Sequence, residues 1–75
     1  MGKVIEKKEI PGHAYFIRLS DDPDWFIHNV NGQYLTMKGT IGASVWYGNE
    51  VTNRFIDNAR TENLEAVKVK DILKV

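Results

Sequence analysis

Trp25-Phe26-Ile27-His28-Asn29-Val30-Asn31-Gly32-Gln33-Tyr34-Leu35-Thr36-Met37-Lys38 is the stretch that decides the fold. Asn31-Gly32 is the preferred dipeptide of a type I′ hairpin turn, because both central residues need a positive φ. Six-residue runs rich in aromatic and β-branched residues lie on either side of it. With a two-residue loop, Val30 faces Gln33. Phe26, His28 and Val30 then share a face with Leu35 and Met37. Trp25 and Ile27 share the opposite face with Tyr34 and Thr36. A three-residue loop would shift the register and reverse the face of each side chain.

Upstream, His13 to Ser20 reads as a strand, with Tyr15, Ile17 and Leu19 on one face and Ala14, Phe16 and Arg18 on the other. Pro11-Gly12 marks a turn before it, and Asp21-Asp22-Pro23-Asp24 a loop after it. Val4 to Ile10 is a candidate first strand, and the lysines in and beside it, Lys3, Lys7 and Lys8, suit an exposed edge. Downstream, Gly39 to Gly42 is a loop and Ala43 to Tyr47 a short strand. Asn49 is the expected N-cap of a helix over about Glu50 to Arg60. At about 100° per residue, Val51, Phe55, Ile56 and Ala59 fall in one apolar arc. Ala66 to Lys70 alternates as a last strand, with Val67 and Val69 inward, and Asp71 to Val75 either extends it or frays.

The chain has 75 residues, 43% hydrophobic and 27% charged, so a single α+β domain over residues 1–75 is expected. Its architecture is a mostly antiparallel sheet of four to five strands with one helix packed on one face, in the order β-β-β-β-(β)-α-β. The alternative is an SH3-like small β-barrel in which the helix shrinks to a turn. One helix covers only one face of a sheet. Either the sheet curls to bury both sides, or Trp25, Ile27 and Tyr34 stay partly exposed.

The composition excludes several chemistries. Ten basic and ten acidic side chains cancel, which removes the field that draws a protein to nucleic acid or anionic lipid. Cysteine is absent, so there are no disulfide staples, thiolate ligands or thiol nucleophiles. Its absence fits a reducing cytoplasm. The charged segment Met1 to Ile10 lacks the apolar run of a signal peptide, and no segment is apolar enough to span a membrane. His13 and His28 have no His-x-x-x-His spacing, and Asp21, Asp22 and Asp24 lack the spacing of a calcium loop. Neither Ser20 nor Ser44 lies in a Gly-x-Ser-x-Gly elbow. Gly39-Thr40-Ile41-Gly42 is too far from the helix to cradle a phosphate, and Gly48-Asn49 reads as a plain cap. No enzyme, cofactor or metal is expected.

Three classes of function remain. The first is a cytoplasmic protein-binding module that uses Trp25, Tyr34, Trp46 and Tyr47, since tryptophan and tyrosine bury much area at little entropic cost. The second is a small nucleic-acid-binding protein that uses Arg18, Lys38, Lys68 and Lys70 beside strand aromatics. The third is a homodimeric structural protein, formed face to face or by sheet extension.

Four segments carry a resemblance. They are the strand Tyr15-Phe16-Ile17-Arg18, the hairpin arm Gly32-Gln33-Tyr34-Leu35-Thr36, the helix Val51 to Ala59, and the closing strand Ala66-Val67-Lys68-Val69. In this order they resemble small uncharacterised proteins encoded by phages and prophages of Gram-positive bacteria. The segment Lys38 to Gly48, with Trp46-Tyr47, has no counterpart in that group. The resemblance implies a small accessory protein that binds and inhibits or redirects a bacterial host protein, and it assigns no functional residue.

Overall fold

The computed structural model describes residues 11–59 and 63–73. The predicted strand Val4 to Ile10 lies outside the described residues. The elements are β1 (Ala14–Leu19), β2 (Trp25–Val30), β3 (Gln33–Lys38), β4 (Trp46–Tyr47), α1 (Asn49–Asn58), β5 (Leu64–Lys68) and α2 (Val69–Leu73). The class is α+β: a five-stranded antiparallel sheet with α1 packed on one face. α1 keeps ten residues and does not shrink to the turn of a barrel.

The hairpin forms as its turn dictates. Asn31 and Gly32 have φ of 53° and 85°, both positive as a type I′ turn needs. Asn29 Oδ1 accepts from the Gly32 N–H at 3.0 Å. Val30 pairs with Gln33, and the register runs outward to Trp25 and Lys38 without a slip. Every face assignment that follows from the two-residue loop therefore holds.

β1 is the hub. Along one edge it pairs with β5 from Tyr15↔Lys68 to Leu19↔Leu64. Along the other it is shared. Arg18 pairs with Phe26 of β2, while Ala14 and Tyr15 pair with Tyr47 and Trp46 of β4. The chain between β3 and β4 fills the gap where β2 parts from β1. His28 bridges to Ala43, and the Ser44 N–H donates to the Ile27 carbonyl at 3.0 Å. The expected strand Ala43 to Tyr47 is thus a single bridge followed by a two-residue strand, because the segment crosses from one partner to another. His28 is buried and ties down the loop before this crossing, with its Nε2 donating to the Gly39 carbonyl at 2.9 Å.

Each face has its own cover. On the first, Ala14, Phe16, Phe26 and Val69 form the core, with Ala43, Val67 and Ile72 packed against it. Phe16 and Phe26 meet edge to face, with centroids 5.5 Å apart. Burying each ring contributes about 1.5–3 kcal/mol. The cover here is α2, which the sequence reading takes for strand. β5 stops at Lys68, opposite Tyr15, where β1 has one residue left. The chain then turns over the sheet as a helix, placing Val69 and Ile72 three apart on one side. Valine and isoleucine are modest helix formers, so the packing of this stripe outweighs propensity.

On the second face, Ile17 and Ile27 are buried, whereas Trp25 and Tyr34 are exposed. α1 lies over this side. Its N-cap is Gly48, not Asn49, and no side chain caps it. Gly48 has φ 107° and ψ 145°, and its N–H donates to the His13 carbonyl at 2.8 Å. The buried stripe also differs by one residue from the expected arc. Thr52 is 1% exposed, whereas Val51 is 40% exposed. Thr52, Phe55, Ile56 and Ala59 make an i, i+3, i+4, i+7 stripe. The threonine hydroxyl donates to the Gly48 carbonyl at 2.7 Å, so its burial leaves no polar atom unpaired.

A side chain at Gly48 meets no neighbour within 4 Å, but its backbone angles are close to glycine-only. Gly48→Ala is expected to cost about 1–3 kcal/mol in urea unfolding. Gly12→Ala, also in open space and without a positive φ, should change stability by less than about 0.5 kcal/mol. Equal effects of the two changes would show that the Gly48 backbone is not the constraint.

Candidate binding groove

The crossing segment that fills the gap beside β1 also carries Trp46 toward β3. There it meets Tyr34 at 5.9 Å between ring centroids, and Phe55 of α1 at 4.8 Å. Phe55 in turn meets Tyr34 edge to face at 5.0 Å. Three rings from strands β3 and β4 and helix α1 therefore form one cluster, with all centroid separations in the range of interacting aromatic pairs. Tyr34 is 51% exposed, so the cluster is open to solvent on the β3 side.

A half-open groove of about 380 Å³ runs from this cluster along β3. Its lining is Ile27, Tyr34, Leu35, Thr36, Phe55, Ala59 and Leu64. No residue among these is charged. The floor comes from the second sheet face and the far wall from α1 and the start of β5. In size it suits a few apolar side chains, at the small end of ligand sites.

The four aromatic residues singled out in the sequence are not one surface. Tyr34 and Trp46 come together. Trp25 is on the same face by register but opposite Lys38, at the far end of the hairpin from the turn. Tyr47 is on the other face, opposite Ala14, and its ring lies 5.8 Å from that of His13. Adjacent strand residues point to opposite faces, so Trp46 and Tyr47 separate as soon as they pair with β1. Phe55 is the member that sequence reasoning misses. Its place in an apolar helical arc reads as core, and only the helix docking exposes one edge of it to the groove.

The basic residues are divided as well. Arg18 Nε donates to Glu65 Oε2 at 2.6 Å. These two residues are cross-strand partners on the first face. Lys68 lies opposite Tyr15 and belongs to the second face, and Lys70 is on α2. Arg18 and Lys38 do line one shallow depression, with Pro23, Phe26 and Ile72, but Asp24 lines it too. No continuous cationic stripe results among the described residues. Among the described residues, no three His, Cys, Asp or Glu side chains converge as metal ligands, and no helix is long and apolar enough to cross a membrane. No protein-family model, no curated protein and no solved structure matches the chain.

Phe55 holds the ring cluster from the helix side. Phe55→Ala should lower stability by about 2–3 kcal/mol, at or below the range for a fully buried ring, because Phe55 is only half-buried. Tryptophan emission should shift to the red as Trp46 loses its cover. Unchanged emission with full loss of stability would place the weight of Phe55 elsewhere.

Proposed function

We propose that the chain is a small non-enzymatic protein-binding module whose contact surface is the groove beside β3. The observation that carries this reading is the Tyr34–Trp46–Phe55 cluster, which opens onto an uncharged groove at an exposed strand. Large rings held by their neighbours lose little entropy when a partner covers them, which is the physical basis of interface hot spots. The surface is thus Tyr34 and Trp46 with Phe55 and Ile27, and it leaves out Tyr47. The resemblance carried by the Tyr15 to Arg18 strand and the Gly32 to Thr36 arm suggests a setting, a phage accessory protein acting on a host protein in the bacterial cytoplasm.

Nucleic acid is the weaker reading. Arg18 is engaged by Glu65, Lys68 lies on the opposite face, and the depression that Arg18 shares with Lys38 is also lined by Asp24. A net charge of zero adds no long-range attraction.

Immobilised full-length chain should retain a protein from a Gram-positive lysate. Tyr34→Ser should lose it, and Val51→Lys on the exposed side of α1 should keep it, provided both variants melt cooperatively. Titration with single- and double-stranded DNA should give no tight binding that weakens steeply between low and moderate salt. Retention unaffected by Tyr34→Ser, or steep salt-dependent DNA binding, would overturn the assignment.

A further inference from the structure

In a two-residue turn the carbonyl of the first flanking residue accepts from the N–H of the second. Val30 and Gln33 are that pair, so the backbone groups of Gln33 point toward β2. Antiparallel pairing alternates from there, which turns Leu35 and Met37 toward β2 as well. The N–H of Gly39 keeps the alternation, donating to the Asp24 carbonyl at 2.9 Å. The N–H and C=O groups of Tyr34, Thr36 and Lys38 therefore point away from β2. No strand lies on that side among the described residues. Tyr34 and Thr36 also line the groove. Open main-chain groups and an apolar side-chain pocket thus coincide on the same residues of one strand.

We propose that β3 is completed by an added antiparallel strand from a partner, an extended peptide with apolar side chains at alternate positions in the groove and an acidic residue opposite Lys38. This deepens the protein-binding reading and rests on it. The peptide runs opposite to β3, so its first paired residue meets Lys38, its third meets Thr36 and its fifth meets Tyr34. The third and fifth side chains share the groove face, where Ile27, Phe55, Ala59 and Leu64 supply apolar walls and no lining residue is charged, so apolar side chains suit both positions. Lys38 is exposed and has no ion-pair partner among the described residues, so a carboxylate at the first position completes a cross-strand pair. Main-chain bonds supply affinity in such additions, and alternate side chains supply the selection.

A second copy of the chain fits this edge poorly. β3 reads Gln-Tyr-Leu-Thr-Met-Lys and offers no carboxylate to Lys38. Tyr34, Leu35 and Met37 are 51%, 44% and 42% exposed. Even an aromatic side chain presents only about 150–250 Å² in all, so two copies joined edge to edge would bury on the order of 600 Å² of side chain. A stable protein interface needs about 1,200 Å² or more. A peptide that also fills the groove does not depend on edge area alone.

The test is a titration of the ¹⁵N-labelled full chain with acetyl-Asp-Thr-Val-Thr-Ile-Thr-amide to millimolar concentration. Amide shifts should concentrate at Tyr34, Thr36 and Lys38, and exchange of their N–H groups should slow. N-methylation of the peptide valine, whose N–H faces β3, should weaken binding at least about tenfold, since it removes a ladder bond and adds bulk at the edge. N-methylation of the following threonine, whose N–H faces away, should leave affinity within about twofold. Lys38→Glu should weaken the aspartate peptide by about three- to tenfold, and a peptide with lysine in place of aspartate should recover that loss. Absence of shifts at β3, or equal weakening by both N-methyl groups, would overturn strand addition. So would a sedimenting dimer whose Tyr34 and Thr36 amides are already protected. If lysate capture still depends on Tyr34 after such a result, the binding-module reading stands and the strand-addition geometry alone falls.

Discussion

The structure depends on one local constraint: two consecutive residues, Asn31 and Gly32, held at positive φ. That geometry permits a two-residue loop, and the loop sets the register of β2 against β3. Because side chains alternate, a slip of β3 by one residue would turn Tyr34 and Thr36 out of the second face and put Leu35 and Met37 there beside Ile27. His28 would then lose the Gly39 carbonyl that anchors the loop before the crossing segment. The bridge from His28 to Ala43 would go with it, and so would the path that brings Trp46 to Tyr34. A local backbone preference therefore reaches the aromatic cluster through a chain of specific contacts.

The second organising feature is the division of labour along β1. One edge of this six-residue strand is filled by β5, and the other is shared by β2 and β4. Sharing requires β2 to part from β1, and the crossing segment occupies the space that opens. The same arrangement leaves β3 with a partner on one side only among the described residues. Small sheets commonly blunt such an edge with charge or proline. Here the charge is confined to Lys38 at one end, while Tyr34, Leu35 and Met37 carry apolar groups along the rest.

Much of this was legible in the residues. The hairpin, the faces of its side chains, the strand from His13 to Ser20 and the amphipathic helix all follow from patterns a few residues long. The candidate site was half legible. Tyr34 and Trp46 belong to it, but Trp25 lies at the far end of the hairpin and Tyr47 on the other face. Helix α1 follows from the pattern, and the five-residue α2 does not. The pattern suggests one helix for two apolar faces, whereas α1 covers the face of Ile17 and Ile27, and the five residues of α2 cover that of Phe16 and Phe26. Val67 and Val69 alternate with Lys68 and Lys70, so nothing local distinguishes a continuing strand from one that turns into a helix.

The sequence by itself determined the turn, the register and the two faces of the hairpin, because those are properties of backbone sterics and of alternation between near neighbours. Only the tertiary structure decided that β5 ends at Lys68, that Thr52 takes the buried place beside Val51, and that Phe55 completes the ring cluster. Each of those outcomes depends on where an element docks against residues distant in the chain. Docking is set by the space β1 leaves on each side, and no short window of sequence contains that information.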